Sequence, residues 1–337
     1  MKKNLKGFLV ATHLLFVSGA LLSTSLLVKE YENGYLFLIF CSFLVTILLI
    51  ILEGKTNLTL KEILNKRLFR ILSLIYFSTS IIHCLYALFL LIDNYYYIKT
   101  PITILAYYFC LLSIILSYNK FSINLNIGVV SMIFSIIPLF IITIFFPKGE
   151  LKVSYTPSNI NYLFLWSYAT IFLDLFYYQL LFKSENFIIK NQTKLYIAIT
   201  TFFLIFLYSY FDSKIVPTKF LNTFFPNLLK YRISNEKSHI HFDLICLAVI
   251  YIAFLFKTVI FGEGIRIFLK VKKRSNFNIF MYVFMYLIAA VLIFFFPKDF
   301  NLIKLMLIFN SNLAFITIIF LGGILIVKKL HSRKQGS

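Results

Sequence analysis

The chain has 337 residues, of which 60% are hydrophobic and 14% charged, and its mean hydropathy is +0.88. That leaves too few polar side chains to clothe a water-soluble core, so a soluble globular enzyme is excluded and the bilayer is the expected solvent. The net charge of +20 does not mark a nucleic-acid binder, because the lysines and arginines lie between apolar runs and build no basic domain.

A membrane span needs roughly 20 apolar residues to cross a hydrocarbon core about 30 Å thick. About ten such stretches follow one another: 8–27, 35–52, 68–92, 101–118, 127–146, 160–183, 194–211, 240–265, 277–296 and 303–327. Lys2, Lys3 and Lys6 before the first stretch resemble the start of a secretory signal. The run is long enough to span, however, and the next follows after a very short loop, so a retained first span is expected. The expected fold class is an all-α membrane protein of about ten transmembrane helices, one polytopic domain over 1–337 with antiparallel neighbours joined by short loops.

With the N-terminus inside, Lys and Arg favour the termini and cytoplasmic loops over the opposite loops by about two to one, which predicts both termini cytoplasmic. The clearest markers are Lys61, Lys66, Arg67 and Arg70 around the 53–67 loop and Arg266, Lys270, Lys272, Lys273 and Arg274 in the 266–276 loop. Residues 58–71 place Leu60, Ile63, Leu64 and Leu68 near one helical face and predict a short interfacial amphipathic helix. The external loop 212–239 is the longest polar stretch, and its size fits either a lid or docking surface or a re-entrant surface helix.

Motifs for covalent or metal chemistry are missing. No Gly-rich phosphate loop, His-Glu-x-x-His zinc motif or Gly-x-Ser-x-Gly elbow occurs, so no cofactor, no metal and no enzymatic activity is expected. His239 and His241 stand two apart, a spacing that points helical side chains away from each other. His13 and His83 are expected to bond to neighbouring helices. Cys41, Cys84, Cys110 and Cys246 fall inside spans without paired short spacing and read as small apolar residues.

The informative residues are ionisable groups where lipid penalises charge by a few kcal/mol. Asp174 lies 14 residues into the sixth span and Lys257 17 into the eighth, roughly 21 and 25 Å along helices running the same way. Similar depth allows an ion pair or a shared water cavity, and either a helix-to-helix clamp or a role in binding a ligand or ion. Small and hydroxyl residues gather at Ser18, Gly19, Ala20 and Ser23 in the first span and at Ser167, Tyr168, Ala169 and Thr170 in the sixth. Such runs serve close packing, or a helix break that offers backbone groups to a ligand.

Several segments in this order resemble the B subunit of spore germinant receptors, a branch of the amino acid, polyamine and organocation transporter superfamily. Thr59-Leu60-Lys61-Glu62-Ile63-Leu64 is similar to the cytoplasmic helix after the family's second span, and Thr100-Pro101 to the dipeptide opening its fourth. Phe254-Leu255-Phe256-Lys257 matches the lysine-bearing element of the eighth span, and Pro297 the proline after the ninth. The chain departs from the family in the first span, where Ser18-Gly19-Ala20-Leu21-Leu22 stands for Gly-x-Gly-Ile-Leu with no proline nearby. It also lacks the glycine usual beside the acidic residue of the sixth, since none occurs between Gly149 and Gly262.

The resemblance implies a transporter-like fold that admits inverted five-helix repeats and lies in the spore inner membrane or the cell membrane. It also implies a small amino-acid-like germinant as ligand, and an A-type membrane subunit and a C-type lipoprotein as partners. The ligand residues would be Ser18, Gly19, Ala20, Ser23, Ser167, Tyr168, Ala169 and Thr170. A secondary transporter of amino acids or organic cations, with Asp174 as its coupling carboxylate, is the competing expectation. The charge asymmetry makes a test: a cysteine introduced at Lys272 is expected to react with impermeant thiol reagents only from the cytoplasmic side, and external labelling overturns the topology.

Overall fold

A computed structural model describes residues 3–23, 35–56, 67–92, 102–145, 174–178, 181–182, 191–213, 242–272, 275–296 and scattered helical positions between 302 and 327. Every regular element among them is a helix. In chain order they are α1 (Lys3–Phe16), continued by a π-helical turn Val17–Ser23, then α2 (Tyr35–Thr56), α3 (Arg67–Leu91), α4 (Ile102–Ser117), α5 (Phe121–Phe145), α6 (Asn191–Ser213), α7 (Phe242–Leu269) and α8 (Asn276–Phe295). Residues 174–178 and 181–182 are also helical.

Five of these helices are long and apolar enough to cross a membrane: Arg67–Leu91, Phe121–Ile141, Gln192–Tyr210, Leu247–Leu269 and Asn276–Phe295. Without water, every backbone N–H and C=O must find its partner inside the segment, and a helix does this even for sequences rich in Ile, Val and Phe. Several helices outrun the apolar stretches that announce them. α2 continues through Thr56 and α7 through Leu269, into the expected 53–67 and 266–276 loops, because backbone hydrogen bonding does not stop where hydropathy falls. The expected amphipathic helix at 58–71 lies outside the described residues up to 66, and from Arg67 the chain already belongs to α3. The 212–239 loop beyond Ser213, with His239, and His241 beyond it, also lies outside them.

The surface of the bundle is inverted relative to a soluble protein. On α8 the exposed stripe is Phe280, Phe284, Leu287, Val291 and Phe294, and on α4 it is Ile104, Tyr108, Leu111 and Ile115. Hydroxyls and charges point inward: Ser113 and Ser117 on α4, Asn124, Ser131 and Ser135 on α5, and Lys257 and Glu263 on α7 are buried. Apolar outside and polar inside is what lipid as solvent selects. The chain is a multi-pass α-helical membrane protein.

α7 runs through the middle, packed on α3, α4, α5 and α8, while α1 lies between α5 and α6 and α2 covers α6. Aromatic side chains carry these contacts. Phe77 of α3 meets Phe261 and Phe268 of α7 at ring distances of 5.5 and 5.6 Å, and Phe43 of α2 stacks on Phe202 of α6 at 4.3 Å. Where a ring from one helix lies against the backbone of another the residue is glycine: a Cβ on Gly128 would strike the ring of Phe256, one on Gly262 the ring of Tyr282, and one on Gly264 would lie 2.9 Å from Phe77 Cζ.

The end of α7 is locked. Lys270 adopts the left-handed conformation at φ 58°, its N–H donates to Ile267 O at 3.1 Å, and the Val271 N–H donates to Arg266 O at 3.1 Å, a pattern that closes a helix C-terminus. Arg266 donates to both carboxylate oxygens of Glu263, at 2.9 and 2.6 Å, and to Val271 O at 3.1 Å.

Gly262→Ala is expected to destabilise the protein by about 1–3 kcal/mol through overpacking against Tyr282, whereas Gly322→Ala, with nothing within 4 Å of the new Cβ, is expected to be neutral. Thermal midpoints of the two variants in detergent check this.

Candidate functional site

Four segments converge on one buried carboxylate. Asp174 comes from the 174–178 helix, Lys257 from α7, Ser18 from the π-helical turn after α1 and Tyr76 from α3, and all four side chains are buried. Lys257 Nζ lies 3.1 Å from Asp174 Oδ2. The ammonium also donates to Ser18 Oγ and sits 5.1 Å from the centre of the Phe261 ring, one turn further along α7.

On the carboxylate, Tyr76 Oη donates to Oδ1, and Ser18 Oγ, Lys257 and a long 3.4 Å contact from Tyr178 Oη serve Oδ2. The charged pair is thus satisfied by donors from two other elements, with Tyr178 of the carboxylate's own helix in support, which is the condition under which a buried ion pair is tolerated. Aromatic rings pack around it. Tyr178 stacks on Phe261 with centroids 5.6 Å apart, Tyr76 stacks on Tyr177 at 4.4 Å, and Phe261 meets Tyr76 edge-on at 6.0 Å.

Ser18 has a single proton and two acceptors within reach, Asp174 Oδ2 and Leu14 O, the latter at 3.0 Å. The bond to Leu14 O is the one to the carbonyl four residues back that Ser73, Ser113 and Thr317 also make, and here its donor stands in the π-helical turn. The helix irregularity and the ion pair therefore share one hydroxyl.

Of the residues singled out from the sequence, the structure brings together Ser18, Asp174 and Lys257. Gly19 and Ala20 lie in the same π-helical turn and are buried, and Ser23 is its last residue. Ser167, Tyr168, Ala169 and Thr170 lie outside the described residues. Tyr76, Tyr178 and Phe261 were not anticipated. A hydroxyl one might have flagged in the third span is lost among 22 tyrosines and 41 phenylalanines.

The two histidines differ. His13 bonds a neighbouring helix as expected, its Nε2 lying 2.8 Å from Ser135 Oγ of α5, and it stacks on Phe256 at 5.8 Å. Of His83, the Nε2 atom has no hydrogen-bond partner among the described residues. Its ring is buried on α3.

Removing one partner strands the other charge in an apolar site, so Asp174→Ala or Lys257→Ala alone is expected to cost about 3–5 kcal/mol. The double change is expected to cost less than either, and the thermal midpoints of the three variants form the cycle; additive effects would show that the pair does not act as a unit.

No protein-family model matches this chain, and neither does any curated protein.

Proposed function

We propose that this chain is the B-type subunit of a nutrient germinant receptor, a ten-span transporter-like membrane protein whose Ser18–Asp174–Lys257 centre responds to a small amino-acid-like germinant. The observation that supports the reading most directly is the shared hydroxyl of Ser18. It ties a widened turn of the first helix to a charge pair made by the 174–178 helix and α7.

A zwitterionic amino acid carries the same two charges as the pair. Its ammonium can take the place of Lys257 at Asp174, and its carboxylate can take the place of Asp174 at Lys257. Insertion then separates two helices without leaving a charge uncompensated, which is how binding energy becomes movement in a site otherwise costly to open. In this reading the protein sits in the spore inner membrane with both termini cytoplasmic, and passes that movement to an A-type membrane subunit and a C-type lipoprotein. The loop 212–239 offers an external surface for them. The resemblance of the Thr59–Leu64 and Phe254–Lys257 segments to germinant receptor B subunits supplies the family.

The alternative is a secondary transporter of amino acids or organic cations. Asp174 favours it, as a buried carboxylate placed to trade Lys257 for a cationic substrate. Spores carrying Asp174→Asn are expected to lose at least tenfold in germination rate toward particular nutrients, per unit of the protein present in the membrane, with normal germination toward those read by a sister complex. Purified protein in liposomes is expected to show no ion-driven amino acid uptake. Uptake that Asp174→Asn abolishes would replace the receptor by the carrier.

A further inference from the structure

The surroundings of Lys257 Nζ define which cations that position accepts. An alkylammonium carries three N–H donors. Asp174 Oδ2 takes one at 3.1 Å, Ser18 Oγ takes another, and the Phe261 ring lies beside the nitrogen with its centre 5.1 Å away. The carboxylate comes from the 174–178 helix, the hydroxyl from the π-helical turn and the ring from α7, and all three residues are buried.

This ion pair is built differently from the one at the end of α7. Glu263 and Arg266 stand three residues apart, so their contact belongs to a single turn and nothing enters between them without unwinding it. Asp174 and Lys257 stand 83 residues apart. Lys257 reaches the carboxylate only through its flexible side chain. Tyr76 donates to Oδ1, and Tyr178 Oη lies 3.4 Å from Oδ2, so α3 and the 174–178 helix address the carboxylate without the lysine.

The same surroundings discriminate among ammonium ions. Quaternary ions are held in cages of aromatic faces, which need no hydrogen bond. Here the rings are turned largely to one another: Tyr178 stacks on Phe261 at 5.6 Å and Tyr76 on Tyr177 at 4.4 Å, while the hydroxyls of Tyr76 and Tyr178 are directed to Asp174. Two directions around Nζ end on oxygen acceptors within hydrogen-bond distance. An N–H is satisfied there, whereas a methyl carbon has neither a bond to make nor room to stand.

We propose that Ser18, Asp174 and Phe261 form a site for a primary ammonium, filled in this structure by the tethered ammonium of Lys257, and that N-methylated ammonium ions are excluded from it. For the class of germinant this rests on the receptor reading: the molecule that opens the pair presents an unmethylated ammonium, as a free amino acid does and a betaine does not. The site itself rests only on the contacts around Nζ.

Truncating Lys257 to alanine removes Cγ, Cδ, Cε and Nζ, the heavy atoms of propylammonium, and that ion is the probe. In detergent-solubilised full-length Lys257→Ala, saturating propylammonium is expected to raise the thermal midpoint by about 4 °C, against less than about 1 °C for propyltrimethylammonium at the same concentration. The two ions carry the same charge, so ionic strength does not distinguish them. The wild-type chain, whose site is filled, and the chain carrying both Asp174→Ala and Lys257→Ala, which lacks the carboxylate, are expected to respond to neither. Where Lys257→Ala does not fold alone, it is synthesised cell-free into detergent with each ion present, and a monodisperse yield several times higher with propylammonium supports the site. Equal shifts or equal yields with the two ions, nil included, overturn it, as does a propylammonium shift of the same size in the doubly substituted chain. Germination does not enter these readouts, so the site can fail in a working receptor and stand in a chain that is none.

Discussion

A carboxylate or an ammonium left alone among apolar helices loses several kcal/mol of hydration, and both Asp174 and Lys257 are buried in this bundle. Their tolerance depends on each other and on the neutral donors around them. Tyr76 and Ser18 complete the carboxylate, while Ser18 and the Phe261 ring complete the ammonium. Because these groups come from the first span, α3, α7 and the 174–178 helix, the requirement to keep two charges satisfied fixes four segments relative to one another. Apolar packing in a membrane has no hydrophobic drive to do so, since lipid is as good a neighbour as leucine.

The rest of the packing serves that arrangement. α7 carries the lysine and is enclosed on several sides, with Gly128, Gly262 and Gly264 marking the places where a ring from one helix lies against the backbone of another. The outward stripes of α4 and α8 need only be apolar. Inside, the fit is specific: Phe77 touches both Phe261 and Phe268, and Tyr76 and Tyr177 stack beneath the pair.

Helical membrane character was legible because long apolar runs leave few alternatives. Asp174 and Lys257 were conspicuous for the same reason, and counting residues from the span ends placed them at comparable depth. Ser18 stood out as part of a small-residue cluster, but its position between the two charges depends on the register of three helices, which no local pattern encodes. Tyr76, Tyr178 and Phe261 carried no signal, since an aromatic residue in an apolar span is as ordinary facing lipid as facing a charge. Helix ends were also hidden. Hydropathy marks where the membrane stops, whereas α7 stops where Lys270 turns left-handed and Arg266 ties Glu263 to Val271.

That closed terminus gives α7 the mechanical character of a lever. Thirteen residues separate Lys257 from Lys270, about 20 Å of helix, and the staple at its end prevents the last turn from unwinding to absorb a displacement. A tilt of about 5° at the charge pair therefore moves the terminus by about 1.7 Å, since a stiff helix about 20 Å long carries rotation into translation undiminished. Lys272, two residues beyond the left-handed Lys270, would be carried with it.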